Sequence, residues 1–211
     1  MVLDSHRGKV DFIMDPAARA LRNVHPNYIS FMAIILAAVA GLMLYFSYDH
    51  WVLLPLSAVV VLVSGFLDGL DGKVARLAGL ADRRGDFLDH VLDRYADMLM
   101  IGGVAVSAWC SPYLGMMALI GVLLTSYMGT QAQAVGAKRM YAGLLGRADR
   151  IVLSFLVPLV QMVMVLTGNT EISMLGYDIN AFEVMMVWFA VVGNLTAIQR
   201  AVATYAQLRK A

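Results

Sequence analysis

Charge is what this chain has least of. Only 15% of its 211 residues are Asp, Glu, Lys or Arg, against 60% hydrophobic residues. That share is well below the quarter usual in soluble domains, so the composition excludes an ordinary soluble protein and a disordered one. A basic excess is missing too: the formal net charge is +1, which leaves no global field for nucleic acid. Cysteine is reduced to Cys110, so no internal disulfide and no multi-thiolate metal site can form. Cys110 reads as a small apolar filler near a membrane surface. Residues 1–23 lack the apolar stretch of a cleaved secretory signal and instead carry Arg7, Lys9, Arg19 and Arg22. Internal repeats and low-complexity tracts are also missing.

What is present is a series of apolar runs long enough to cross a bilayer. Six are expected, over residues 28–48, 51–67, 87–109, 112–133, 151–166 and 181–205. Residues 7–23 form an expected amphipathic helix on the inner leaflet, with Val10, Ile13, Met14, Ala17, Ala18 and Leu21 near one face. Pro16 either interrupts that helix or marks a second start. Lys and Arg segregate cleanly. Arg7, Lys9, Arg19 and Arg22 precede the first run. Lys73, Arg76, Arg83 and Arg84 separate the second from the third. Lys138, Arg139, Arg147 and Arg150 separate the fourth from the fifth. Arg200, Arg209 and Lys210 lie in the last part of the chain. Of the 16 cations Arg94 lies inside the third run, near its cytoplasmic half, and Arg200 lies near the cytoplasmic end of the sixth, while the opposite loops hold Asp49, Glu171, Asp178 and Glu183 without a single Lys or Arg. The positive-inside rule then places both termini in the cytoplasm. The expected fold is an all-α integral membrane protein of six transmembrane helices (26–211) preceded by a cytoplasmic amphipathic segment (1–25).

The scarce charges concentrate in one register: Asp68-x-x-Asp71-Gly72-x-x-Ala75-Arg76, eight residues, then Gly85-x-x-x-Asp89-x-x-x-Asp93. Ionised carboxylates in apolar surroundings are costly and tend to be kept for a task. Residues three and four apart share a helix face, so Asp68 and Asp71 point one way from one helix, and Asp89 and Asp93 from the next. Facing each other, they form an all-oxygen cage suited to Mg²⁺, Mn²⁺ or Ca²⁺ rather than zinc. Four carboxylates can hold two such ions. Ion or proton transport and structural pairing with Arg76, Arg84 or Arg94 are the competing uses. Transport would require the acidic path to continue outward, and beyond Asp97 it does not. Gly72 and Ala75 either let a flat group or a phosphate approach the backbone or serve a close helix contact. Arg76 offers a planar fork to phosphate, Gly85 a tight helix start or a close crossing. Asn27, after Pro26, either caps the first span or reaches a ligand. Asp86 reads as a solvated helix-start acid, and Asp97 as the partner of a cation or polar group.

At every fixed position these residues match the signature of the CDP-alcohol phosphotransferase (phosphatidyltransferase) family, which the chain resembles over most of its length. The resemblance implies a homodimeric membrane enzyme with its active site facing the cytoplasm. It implies Mg²⁺ or Mn²⁺, two ions per site, holding the diphosphate of a CDP-linked lipid, with CDP-archaeol and CDP-diacylglycerol the candidates. An acceptor hydroxyl attacks the lipid-side phosphorus and CMP leaves. It carries over Asp68, Asp71 and Asp89 as metal ligands, and Asp93 as both ligand and general base. Asn27, Gly72, Ala75, Arg76 and Gly85 become the CDP-lipid contacts. Ser126-Tyr127 and the Gly146-Arg147-Ala148-Asp149-Arg150 run resemble the phosphatidylinositol-phosphate synthases, and still more their archaeal archaetidylinositol-phosphate relatives. This implies inositol 1-phosphate as acceptor, with Lys138, Arg139, Arg147 and Arg150 as its phosphate-binding cations. Gly129 and Gln131 stand where the bacterial members carry Lys and Arg, which leaves Lys138 or Arg139 to compensate. Glycerol 3-phosphate is the alternative acceptor, and the same cations also satisfy the positive-inside pattern alone.

Overall fold

The structure, a computed structural model, describes residues 7–138, 140, 143–174 and 176–209, and of residues 7–11 and 174 the backbone only. Among these, seven helices and one two-stranded hairpin follow in the order α1 (Arg7–Ala20), α2 (Pro26–Phe46), α3 (Leu53–Leu77), α4 (Arg83–Ala105), α5 (Pro112–Ala134), α6 (Arg147–Leu166), β1 (Ile172–Met174), β2 (Tyr177–Ile179) and α7 (Ala181–Leu208).

Four of the helices, α2, α4, α5 and α7, start where a side chain supplies a cap. His25 precedes Pro26 and accepts the Asn27 N–H on Nδ1 at 3.3 Å, so the capping role falls to His25 and not to Asn27. Asp82 accepts the Gly85 N–H at 2.7 Å, Ser111 accepts from Leu114, and Asn180 forms a reciprocal capping box with Glu183. Pro16 does not interrupt α1: the helix runs through it. The chain reverses after α3 at Gly79, whose φ of +67° suits glycine, and the Leu80 N–H closes on the Ala75 carbonyl at 2.9 Å. That short reversal accounts for the eight-residue gap between Arg76 and Gly85.

Five helices (α2, α3, α5, α6 and α7) are long and apolar enough to cross a membrane. The exception is α4, which covers the third expected run but carries Asp86, Asp89, Asp93, Asp97 and Arg94 along its length. Its acidic stripe is what lowers its apolar character. The hairpin was not foreseen in the sequence. It joins α6 to α7 by pairing Ile172 with Ile179 and Ser173 with Asp178.

Packing depends on residues without bulk. α2 crosses α4 at Gly41 and Gly103, where a Cβ on Gly103 would lie 2.1 Å from the Gly41 carbonyl oxygen. α5 crosses α7 at Gly121 and Gly193, where a Cβ on Gly121 would meet the Phe189 carbonyl oxygen at 2.6 Å. Close backbone approach of this kind is how helices associate in lipid, where no hydrophobic force drives them together. Gly103→Ala is expected to lower thermal stability in detergent by about 1–3 kcal/mol, since the obstructing atoms are backbone and cannot turn away. Gly102→Ala is its control: nothing lies within 4 Å of a Cβ there. It should be neutral or stabilising, because Ala outranks Gly in a helix by about 1 kcal/mol.

The end of the bundle opposite the aspartate motif is closed by polar fasteners. Trp109 donates through Nε1 to the Ser47 hydroxyl at 2.8 Å, and Asn180 donates to the Trp109 carbonyl at 3.0 Å. Gln161, fully buried, donates to the Thr170 carbonyl and accepts the Ala181 N–H. These contacts satisfy polar groups that the apolar interior would otherwise strand. Cys110 is buried beside them, and burial pushes its thiol up to about 11, which leaves almost no thiolate at neutral pH.

At the other end α1 lies against α3. Ala18 is buried with Ile29, Leu70 and Val74, and Met14, Ala17 and Leu21 pack on that group. Asp15 of α1 pairs with Lys73, inside the aspartate motif, at 2.5 Å. Phe12 and Ile13 remain exposed on the adjoining side, an apolar strip next to the charged end of the bundle.

Candidate active site

Asp68 sits in the last third of α3, and Asp89 and Asp93 lie one turn apart on α4. The three carboxylates each offer an oxygen to one locus, with those oxygens within 4.8 Å of one another. Asp93 is 8% exposed; Asp68 and Asp89 are half-buried. The adjoining cavity is lined by Ser30, Ser64, Asp68, Asp93, Asp97 and Arg147, among others.

The fourth carboxylate of the motif, Asp71, stands outside this group. It is buried, and both its oxygens are engaged by the protein: the Ser30 hydroxyl donates to Oδ2, and the Gly72 N–H donates to Oδ1 at 2.5 Å. A buried carboxylate needs such donors. Ser30 is absent from the sequence reading, and no local pattern marks it. It lies 41 positions from Asp71 and comes to it only because α2 packs on α3.

The small and basic motif positions lie at the same end. A Cβ on Gly72 would find only the Arg76 guanidinium, at 3.5 Å, so packing within the protein does not demand glycine there. Ala75 is half-buried and Arg76 is exposed. Gly85 lies in the first turn of α4 under the Asp82 cap, which is the tight helix start its smallness suggested. Asn27 is half-buried in the first turn of α2.

The expected acceptor cations separate into distinct environments. Lys138 is exposed, and Arg139 lies outside the described residues. Arg147 contacts Asp68 and approaches Asp93 Oδ1 at 2.5 Å. Arg150 is 2% exposed, pairs with Asp97 at 2.9 Å and donates to the Ser126 hydroxyl at 3.4 Å. Asp97, 4% exposed, also lies 3.6 Å from Arg94. Asp97 therefore has the cationic partner that its depth implied. Arg200 of α7 was counted in the sequence only as a peripheral cation. It is buried and donates to the Thr125 carbonyl at 2.5 Å, one residue from the Ser126 contact of Arg150. Two buried guanidinium groups thus converge on one turn of α5. The Nε of Arg150 has no hydrogen-bond partner among the described residues.

A helical bundle rich in membrane-length helices, with clustered carboxylates at one end and buried arginines beside them, has the architecture of a polytopic membrane phosphotransferase. The family model for CDP-alcohol phosphatidyltransferase matches residues 23–198, and the chain belongs to that family. It is similar to the archaetidylinositol phosphate synthase of Methanothermobacter thermautotrophicus, with 28% identity over 210 residues, 99% of this chain and 96% of the relative. It is also similar to the phosphatidylinositol phosphate synthase of Cutibacterium acnes, with 27% identity over 202 residues, 90% and 91% of the two chains. Among solved structures, the phosphatidylinositol phosphate synthase of Mycobacterium tuberculosis with CDP-DAG bound superimposes with a TM-score of 0.69 at 26% identity, covering 92% of this chain and 94% of that one.

Proposed function

We propose that this protein transfers the phosphatidyl- or archaetidyl-type group of a CDP-linked lipid to inositol 1-phosphate and releases CMP. The observation that carries the reading is the meeting of three carboxylates from α3 and α4 beside two buried arginines from α6 and α7. The first set suits a diphosphate held through cations, and the second a separate phosphate. The relatives bearing inositol phosphate synthase names over nearly the whole chain support the same acceptor.

Mg²⁺ or Mn²⁺, two ions per site, fits the oxygen-only donor set of Asp68, Asp89 and Asp93. Asp93 Oδ1 is buried, has no aligned hydrogen bond among the described residues and is met by the Arg147 guanidinium, which makes it a candidate ligand atom once that cation yields. Asp71, the fourth carboxylate of the motif, would have to give up its Ser30 contact to serve as a further ligand. Ions held by these residues would supply positive charge to the diphosphate and to the departing CMP. Asp93 accepts the proton of the acceptor hydroxyl as its oxygen bonds to the lipid-side phosphorus and the bond from that phosphorus to CMP breaks. Gly72 and Ala75 leave room for the nucleotide against the α3 backbone, Gly85 does so at the start of α4, and Asn27 and Arg76 line the same end. Arg150 and Arg200 hold the acceptor phosphate, with Lys138 at its approach and Arg147 between the two sites. α4 forms a sixth span with its stripe turned to the protein interior, both termini face the cytoplasm, and α1 lies on the inner leaflet. The working unit is a homodimer.

An acceptor panel tests the assignment. Purified protein with Mn²⁺ and CDP-lipid is expected to release CMP with inositol 1-phosphate, and at least tenfold more slowly with glycerol 3-phosphate, serine or free inositol. Release with glycerol 3-phosphate and none with inositol 1-phosphate would overturn the acceptor while leaving the reaction class intact.

A further inference from the structure

Arg147 occupies a place that a phosphate-binding residue does not need. It begins α6 immediately after the N-cap Gly146, which fixes its backbone beside the carboxylate cavity. From there a single guanidinium nitrogen, Nη2, reaches both Asp68 of α3 and Asp93 of α4. These are two of the three carboxylates gathered within 4.8 Å. Like charges at that separation repel strongly in a poorly solvated site. Among the described residues no other cation is seen on both Asp68 and Asp93: Arg94 lies 3.5 Å from Asp93 and 3.6 Å from Asp97, Arg150 pairs with Asp97, and His90 lies 3.8 Å from Asp89. Arg147 is thus, among the described residues, the cation that joins Asp68 of α3 to Asp93 of α4. Its contact with Asp93 Oδ1 is close yet lacks hydrogen-bond alignment, as expected of a counter-ion rather than of a locked bridge. Its side chain is also 35% exposed, against 3% for Arg150, so it has a way out of the site that Arg150 lacks.

We propose that Arg147 is a placeholder cation: it neutralises and holds Asp68 and Asp93 in the metal-free protein and is displaced when a divalent cation binds. The inference rests on the metal reading given above and adds to it an order of events. Displaced from the carboxylates, the guanidinium stays at the mouth of the cavity as a free positive group for an anionic substrate. Anion binding at Arg147 thus follows metal loading. Apparent metal affinity is lowered by the fraction of molecules in which Arg147 still holds the site.

The test needs no substrate. Full-length protein in detergent is titrated with Mn²⁺, the free aquo ion being followed by electron paramagnetic resonance, and thermal unfolding is recorded with and without Mn²⁺. Arg147→Gln is expected to bind Mn²⁺ about tenfold more tightly than the wild type, a difference of about 1.4 kcal/mol. It should unfold at a lower temperature without metal and gain more from its addition. Arg147→Lys, which keeps the charge but not the planar fork, should fall between the two, and it alone decides the matter if the Gln variant does not fold. Unchanged or weaker Mn²⁺ binding in the variants, with normal binding in the wild type, overturns the placeholder role and leaves the metal site standing. Failure of the wild type to bind Mn²⁺ overturns the metal reading, and this inference with it.

Discussion

Asp93→Asn is expected to lower CMP release by about 10²–10⁴-fold, the usual contribution of a positioned general base. The substitution keeps the shape of the side chain and removes the ability to take a proton. Asp68 and Asp89 remain, so metal binding weakens without disappearing. Binding of CDP-lipid in the presence of Mn²⁺ should survive and can be measured by isothermal titration. The discriminating result is the split between the two assays: binding kept, turnover lost. Near-normal turnover would remove Asp93 from the role of base. Equal loss of binding and turnover would make it a metal ligand only. Structural collapse is not expected, because Asp93 lies at the cavity wall rather than in the core. The nearby Arg147 and Arg94 also have Asp68 and Asp97 as alternative carboxylates.

Much of this arrangement was legible in the residues, for reasons that can be named. The apolar runs gave the helices because about 20 such residues are long enough for a bilayer and little else needs them. Asp68, Asp89 and Asp93 could be brought together on paper because helical spacing is regular. Gly79 and Asp82 mark the reversal that sets the two acidic helices facing. The stripe on α4 is the place where the hydropathy argument and the site argument compete, and there the chemistry of the site prevails over the apolar pattern. Tertiary partnerships were not legible. Ser30 meets Asp71, and Arg200 meets Thr125 across 75 positions, only through helix packing. Spacing also could not tell that Asp71 is engaged by the Ser30 hydroxyl and the Gly72 N–H while Asp68 meets the Arg147 guanidinium. Arg147 and Arg150 are three residues apart and basic alike. Their different fates, one on the carboxylate cluster and one on Asp97, follow from the direction each takes off the first turn of α6.

Asp97→Asn is expected to be among the most destabilising single changes in the chain. Asp97 serves two guanidinium groups, Arg150 at 2.9 Å and Arg94 at 3.6 Å. Leaving a buried charge without its partner costs about 3–5 kcal/mol, which a fall in melting temperature in detergent would register. That loss alone would not reveal whether the pair is structural or functional. The double variant Asp97→Leu with Arg150→Met does, because replacing a buried ion pair by apolar side chains of similar volume is often neutral or stabilising. If Arg150 binds the acceptor phosphate, the double variant should recover stability yet show an acceptor KM raised at least tenfold, with the CDP-lipid KM nearly unchanged. Loss of one charged hydrogen-bonding partner, about 1.5–3 kcal/mol, is enough for that change. If Arg150 only holds α6 to α4, the stable double variant will show a normal acceptor KM. Asp97 is then a fastener, and the acceptor phosphate depends on Arg200 and its neighbours instead. The Nε of Arg150, without a hydrogen-bond partner among the described residues, favours the first result, since a buried donor left open is what an incoming phosphate would fill.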